Sequence, residues 1–215
     1  MIIEEIMKKD LITLQPDATI KTALHLLRTN KIRHIPVIDN NLKLIGLISD
    51  RDIKEAIPSI LQKESQEDLL SKPIHLFMKK DVITGHPLDF VEDVAVIFYE
   101  HNIGCLPILN EDQLVGIVTE TDVMRTFVEL TGANQPGSRF EIKVPNKAGV
   151  LYEVVKIIKK RNSMIHSVLV YPDKSDDRYK ILVFRVRTMN PVGTIDDLKK
   201  DGYMVLWPNM PGISS

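Results

Sequence analysis

The chain repeats itself at a nearly fixed interval, and that constrains its fold more than any other feature. Met7-Lys8-Lys9-Asp10-Leu11-Ile12-Thr13 returns as Met78-Lys79-Lys80-Asp81-Val82-Ile83-Thr84. Ile32-Arg33-His34-Ile35-Pro36-Val37-Ile38-Asp39 returns as Ile103-Gly104-Cys105-Leu106-Pro107-Ile108-Leu109-Asn110, with the same offset of 71 positions (7 to 78, 32 to 103). Gly46-Leu47-Ile48-Ser49-Asp50-Arg51-Asp52 returns as Gly116-Ile117-Val118-Thr119-Glu120-Thr121-Asp122, offset by 70 (46 to 116), so the turn between the second and third blocks is one residue shorter in the second copy. Ordered blocks at constant spacing mean a duplicated structural unit. Two copies predict two equivalent clefts, an arrangement better suited to sensing a ligand than to a single active site.

Each copy reads as the same β-α-β-β-α series. In the first, Leu11–Leu14 is predicted as a short strand. Thr19 to about Thr29 is predicted as an amphipathic helix from the spacing of Ile20, Ala23, Leu24 and Leu27. Ile35–Ile38 and Leu44–Ile48 are strands, and Ser49 caps a helix that begins near Asp50. In the second copy the strands are Val82–Thr84, Leu106–Leu109 and Leu114–Val118, with helices over about Phe90–His101 and Glu120–Glu129. Pro58 to about Ser71 reads as a surface helix and connector. The copies occupy residues 1–65 and 72–130, and 131–138, Thr-Gly-Ala-Asn-Gln-Pro-Gly-Ser, is a turn-rich linker.

After the linker the repeat stops and a third domain is expected over 139–209. Phe140–Val144 alternates as a half-buried strand does. Val150–Lys160 carries a helical stripe at Leu151, Val154, Val155 and Ile158. Ile165–Tyr171 and Tyr179–Val186 are strands, followed by a helix over about Gly193–Lys200 and a last strand at Tyr203–Trp207. The order βαββαβ is a split βαβ, ferredoxin-like unit, so the fold class of the chain is α+β.

Composition excludes several functions. With a formal net charge of −1 over 215 residues, no global basic field exists to hold a nucleic-acid backbone. One cysteine, Cys105, permits no internal disulfide and fits a reducing compartment. No apolar run reaches bilayer-crossing length, and Met1–Met7 lacks the basic-then-apolar pattern of a secretory signal. The expectation is a cytoplasmic protein with neither a nucleic-acid nor a membrane partner.

The strongest site signal is Gly46-x-x-Ser49-x-x-Asp52 with its copy Gly116-x-x-Thr119-x-x-Asp122. The glycine admits a ligand or a neighbouring backbone. The hydroxyl stands at a helix N-terminus, where free N–H groups favour an anion such as phosphate. The carboxylate three residues on can accept both hydroxyls of a ribose. Arg51, Lys54 and Arg125 lie within reach of phosphates in the first turns. The competing explanation is a capping box, an N-cap hydroxyl with an acid at N3.

With these residues in hand, residues 1–130 resemble a tandem pair of cystathionine-beta-synthase (CBS) domains, a Bateman module. The resemblance implies a regulatory ligand such as AMP, ADP, ATP or a related adenosyl compound. It implies that Asp52 and Asp122 hold ribose and that Ser49 and Thr119 neighbour phosphate. Thr13 and Thr84 would line the adenine pocket, with Arg33, His34 and Cys105 bordering the cleft. The basic pair Arg33-His34 against Gly104-Cys105 predicts unequal occupancy of the two sites. The C-terminal unit resembles an ACT domain, on Asn146-Lys147-Ala148-Gly149-Val150-Leu151. That likeness implies an amino-acid ligand near Asn146, Ala148 and Gly149, or dimerisation alone. The whole chain, from its domain order and segments such as Thr188-Met189-Asn190-Pro191, resembles the B-type acetoin-utilisation family of Bacillus-like bacteria. This implies a link to acetoin or acetate metabolism and supplies no reaction.

The other chemistry-bearing residues are weaker signals. No histidine and acid stand at a spacing that would activate Cys105, so a packed thiol is expected. The six histidines form no metal-ligand pair, and no resident cofactor, metal or catalytic residue is predicted. Lys8-Lys9 and Lys79-Lys80 read as solvated flanks. The leading reading is a non-catalytic sensor forming a homodimer or higher symmetric oligomer. The alternatives are an enzyme of acetoin breakdown and a structural adaptor with unoccupied clefts.

Overall fold

The structure, a computed structural model, describes residues 1–60 and 66–208. It divides into two compact units, Met1–Met124 and Arg125–Ser215. In the first, α1 (Ile20–Thr29) is capped by Thr19, whose hydroxyl accepts from the Thr22 N–H at 3.2 Å, and buries Ile20, Ala23 and Leu27. Strands β1 (His34–Ile38) and β2 (Leu44–Ser49) pair antiparallel, His34 opposite Ser49, and α2 (Asp50–Ile60) follows directly. The second copy repeats this with α4 (Val91–His101), β3 (Cys105–Asn110), β4 (Gln113–Thr119) and α5 (Glu120–Leu130), Cys105 opposite Thr119. The shorter turn of the second hairpin has Glu111 and Asp112 both at positive φ, as a two-residue hairpin turn requires. The first hairpin spends one residue more, with Asp39 Oδ1 accepting from the Asn41 and Lys43 N–H groups.

The strands expected at Leu11–Leu14 and Val82–Thr84 do not form. In place of the first there is a single parallel bridge, Leu14 to Val37, and in place of the second one at the residue that follows it, Gly85 to Ile108. The Leu14 N–H donates to the Pro36 carbonyl and the Ile38 N–H to the Leu14 carbonyl; Gly85 makes the same pair of bonds with Pro107 and Leu109. Continuing either ladder toward the N-terminus would need an N–H from Pro36 or Pro107, which proline lacks. Of the connector expected over Pro58–Ser71, residues 61–65 lie outside the described residues. So do residue 65, the expected end of the first copy, and residue 209, the expected end of the last domain. Helix α2 runs on to Ile60, and α3 (Gln66–Ser71) occupies the connector's C-terminal part.

The two copies exchange their leading segments. Ile3, in a 3₁₀ turn over Ile3–Glu5, is buried among Val91, Val94, Phe98, Leu106, Ile108 and Val118 of the second copy, with Met7 packed alongside. Lys8 bridges Ile117, and the Ile3 N–H donates to the Asp89 carbonyl. Reciprocally, Ile74, in a 3₁₀ turn over Ile74–Leu76, is buried among Ile20, Ala23, Leu27 and Ile48 of the first copy, with Met78 packed against them, while Lys79 bridges Leu47. The motif glycines make room for this exchange. A Cβ on Gly46 would stand 2.5 Å from Met78 Sδ and 2.9 Å from the Lys79 carbonyl oxygen, and one on Gly116 would overlap Met7 Sδ. What the glycines admit is the other copy's chain.

The second unit places β5 (Ser138–Pro145), α6 (Val150–Lys160), β6 (Ile165–Pro172), β7 (Tyr179–Val186), α7 (Val192–Lys200) and β8 (Met204–Trp207) in one antiparallel sheet of order β6-β7-β5-β8. This is the expected βαββαβ topology. Phe140 and Phe184 stack with centroids 5.5 Å apart in a core closed by Val154, Ile158, Ile195 and Leu198. Arg161, the residue that ends α6, grips Asp197 on α7 through two bonds of 2.7 and 2.8 Å, which hold the Asp197 carboxyl below its usual range. Residues 131–138 are tied to this unit: Ser167 Oγ donates to the Thr131 carbonyl, Arg185 to that of Gln135, and Ser138 Oγ to that of Thr188. No helix among the described residues is long and apolar enough to cross a membrane.

Candidate functional site

A cavity of about 980 Å³ lies in the first unit, where β2 ends and α2 begins. That size falls within the range of small-molecule sites. Arg33, His34, Ser49, Arg51, Asp52, Lys54 and Cys105 line it, so seven of the residues singled out in the sequence converge. His34 and Ser49 are opposite each other across the β1–β2 ladder, and Asp52 rises from the first turn of α2. The second copy supplies the facing wall through Gly104, Cys105 and Glu120.

Five predicted residues are placed elsewhere. Thr119 and Asp122 form the equivalent strand-to-helix junction of the second copy but do not line this cavity, and Asp122 is only 4% exposed. Arg125 follows one turn later on α5 with its side chain exposed. Thr13 and Thr84 are half-buried in the leading segments outside the lining; beside Thr84, Val82 and Ile83 line the cavity instead.

Both hydroxyl–acid pairs are capping boxes. Ser49 N–H and Oγ–H donate to Asp52 Oδ2 at 2.8 and 2.5 Å, and the Asp52 N–H returns to Ser49 Oγ at 3.2 Å. Thr119 and Asp122 repeat this at 3.0, 2.5 and 3.4 Å. Capping and binding do not compete here, because the cap uses one carboxylate oxygen. The other oxygen, Oδ1, faces a lysine from the exchanged segment: Lys79 Nζ is 3.9 Å from Asp52, and Lys8 Nζ is 3.4 Å from Asp122. Lys8 and Lys79, expected as solvated flanks, thus sit over the motif carboxylates. Lys79 also lines the cavity. The duplication signalled both lysines, but only the exchange of segments brings them to the acids.

Burial holds the His34 imidazole below its ordinary pKa; Asp52 opposes this, and Arg33, Lys79 and Arg51 reinforce it. His34 is therefore neutral at pH 7, able to donate from one ring nitrogen and accept at the other. Burial, with Asp122 nearby, pushes the Cys105 thiol up to about 12, against a smaller opposing effect of Lys8. A thiol in that state is no nucleophile at neutral pH. Among the described residues no three of His, Cys, Asp and Glu converge to hold a metal ion.

In the second unit Asn146, Ala148 and Gly149 lie at the turn into α6. The Asn146 N–H and carboxamide hold the Arg178 and Asp177 carbonyls at 2.8 and 3.3 Å, and Gly149 supplies the left-handed N-cap at φ 83°. They line neither the cavity above nor a smaller one of about 380 Å³ beside Lys156 and Tyr203. The Asn146 side chain spans a turn of its own unit.

Residues 3–59 and 72–129 match the CBS domain family, and the chain belongs to that family. It is similar to a CBS domain-containing protein of Dictyostelium discoideum, 32% identical over 64% of this chain and 99% of that one. Among solved structures it resembles a Vibrio cholerae protein assigned to acetoin utilization (AcuB), at 32% identity and TM-score 0.57, covering 63% of this chain and 98% of the other. It also resembles the CBS domain pair of protein MJ0100, solved with 5′-methylthioadenosine and S-adenosyl-L-methionine, at 30% identity and TM-score 0.53, over 63% of this chain and 98% of that one. A third, CBSX2, was solved with AMP; it is 25% identical with TM-score 0.50, over 59% of this chain and 96% of its own. Relatives that carry enzyme names are matched over a small part of their length: the chain spans 25% of a homoserine O-acetyltransferase from Methanococcus vannielii.

Proposed function

We propose that the protein is a non-catalytic regulator that senses an adenosyl compound, such as AMP, ADP, ATP or a related molecule, in the cavity beside β2. One observation carries the reading: Ser49 and Asp52 lock the helix start with one carboxylate oxygen, which leaves Oδ1 outside the cap on a residue that lines the cavity together with Arg33, His34 and Arg51. A carboxylate so held accepts a ribose diol without losing its cap. The ligands seen in MJ0100 and CBSX2 share the adenosine this would recognise. The lining holds no activated nucleophile, which favours sensing over catalysis.

The βαββαβ unit we assign, by its topology and the Asn146-to-Leu151 turn, to an ACT-like domain over 139–209. Its role would be assembly into a homodimer or higher symmetric oligomer, or reception of a second small ligand. The likeness to the Vibrio cholerae protein supports a role connected with acetoin or acetate metabolism. Residue for residue, the reading gives Asp52 the ribose, Ser49 and Arg51 the phosphate or tail, and Arg33, His34 and Cys105 the border of the cleft. Thr119 and Asp122 would form a second, more closed site.

Thermal denaturation against a panel of adenosine, AMP, ADP, ATP and S-adenosylmethionine tests this directly, since a ligand of the folded state raises apparent stability by mass action. A midpoint that rises with ligand concentration, and does not rise in Asp52→Ala, is the expected result. A panel without effect refutes it.

A further inference from the structure

We propose that the cavity selects an adenosyl compound whose tail carries both a cation and an anion, and discriminates against nucleoside polyphosphates. The inference rests on the adenosyl reading above and deepens it. Its basis is the set of charges the protein leaves uncompensated around the cavity. Two pairs cancel internally: Lys54 Nζ bonds Asp50 Oδ2 at 2.5 Å, and Lys79 faces Asp52 at 3.9 Å. Five charged side chains remain in the lining, the guanidiniums of Arg33 and Arg51 and the carboxylates of Glu55, Asp81 and Glu120. Among the described residues none of these five side chains makes an ion pair or a hydrogen bond with another side chain. His34 adds no charge at pH 7, because burial holds its pKa down.

The uncompensated lining is thus two positive and three negative groups. A cavity made for a polyphosphate is expected to carry an excess of cations, since each phosphate charge must be met as it leaves water. Here a triphosphate could satisfy the two arginines but would bring its remaining charge against three carboxylates. A tail with a carboxylate for an arginine and an ammonium or sulfonium for the acids meets groups of both signs. Glu120 is well placed for this. It enters from the second copy at the start of α5, and its carboxylate stands 3.5 Å from where a Cβ on Gly104 would lie, with the His34 ring 3.7 Å from the same point. The absence of a side chain at Gly104 leaves open the space between the acid of one copy and the imidazole of the other. Exposed single-sign clusters carry little information, but mixed uncompensated charges around one cavity define a ligand class by complementarity.

The test is titration calorimetry of the full chain with three probes that share adenosine: S-adenosylmethionine, 5′-methylthioadenosine and ATP. S-adenosylmethionine is expected to bind about tenfold or more tighter than either of the others. The triple substitution Glu55→Gln, Asp81→Asn, Glu120→Gln should narrow or invert the ratio between S-adenosylmethionine and ATP, and Arg51→Gln should weaken ATP most. All four positions are exposed, and circular dichroism checks the fold of each variant. ATP binding tightest in the native chain, or an unchanged ratio in the folded triple variant, overturns the selectivity while leaving the adenosyl site standing. If none of the three probes binds, the adenosyl reading fails with it.

Discussion

The double duty of Asp52 can be taken apart by one atom. Asp52→Asn keeps an oxygen that can accept from the Ser49 N–H and hydroxyl, as Oδ2 does now, and replaces Oδ1, the oxygen outside the cap, with an amide donor. The capping box survives; the negative charge at the N-terminus of α2 is lost, at a cost of about 0.3–1 kcal/mol. Asp52→Ala leaves Ser49 Oγ accepting from the residue-52 N–H but also removes the acceptor of the Ser49 N–H and hydroxyl, a further cost of about 0.5–1.5 kcal/mol for each hydrogen bond lost. For binding the order differs. The amide presents a donor where ribose hydroxyls need an acceptor, so both variants should lose a charge-assisted contact of about 1.5–3 kcal/mol, roughly ten- to a hundredfold in affinity. Urea denaturation gives the stabilities and titration calorimetry with an adenosyl ligand the affinities. The expected pattern is an Asn variant near native in stability and near Ala in binding. An Asn variant that binds like the native chain would show that Asp52 is a helix cap and nothing more.

Four further outcomes follow from the same geometry. Gly46→Ala should destabilise by about 1–3 kcal/mol and more than Gly116→Ala, because the first meets the Lys79 backbone oxygen and the second only Met7 side-chain atoms; parallel urea titrations rank them. His34 has its folded-state pKa depressed below 6.5, so the unfolded chain binds the proton more readily; stability is full above pH 6.5 and falls as pH drops through 6.5 toward the lower folded value, and His34→Gln should flatten that part of the profile in denaturation at pH 7.5, 6.5 and 5.5. Cys105, buried with its pKa pushed up to about 12, should resist a thiol reagent at pH 8 and react only as the chain unfolds, so a fast stoichiometric reaction in native buffer would contradict its placement. Sedimentation equilibrium at micromolar concentration should give a mass of at least twice 24.5 kDa, and a monomer would remove the assembly role from the proposal.

The helices and hairpins of both copies were legible because burial at Ile20, Ala23, Leu27 and at Val91, Val94, Phe98 follows a helical period that sequence displays directly. The leading strands were misread for a local reason: Leu11–Leu14 is apolar enough for a strand, but its partner offers Pro36 where an N–H is needed. The site was half legible. Spacing identified Ser49 and Asp52, yet a repeat reports likeness, not adjacency, so nothing in it shows that Lys79 belongs over Asp52 or that Met78 fills the space beside Gly46. Thr13 and Thr84 rest on a family pattern; beside Thr84 it is Val82 and Ile83 that line the cavity, and the segment that holds Thr13 contributes no lining residue.

The exchange of leading segments has a consequence for how the first unit comes apart. Ile3, Ile6 and Met7 complete a core whose other members lie between residues 91 and 123, so that core closes only when segments more than eighty positions apart meet. The first copy's core waits in turn for Ile74 and Met78. Neither half can melt without stripping an apolar anchor from its twin, and the duplicated unit should therefore unfold in one cooperative step instead of two. High sequence separation of these contacts also predicts slow folding for its size. A gene fragment ending near residue 65 would encode the strands and helices of one copy without the segment that seals them, and its product should be protease-sensitive where the intact pair is resistant.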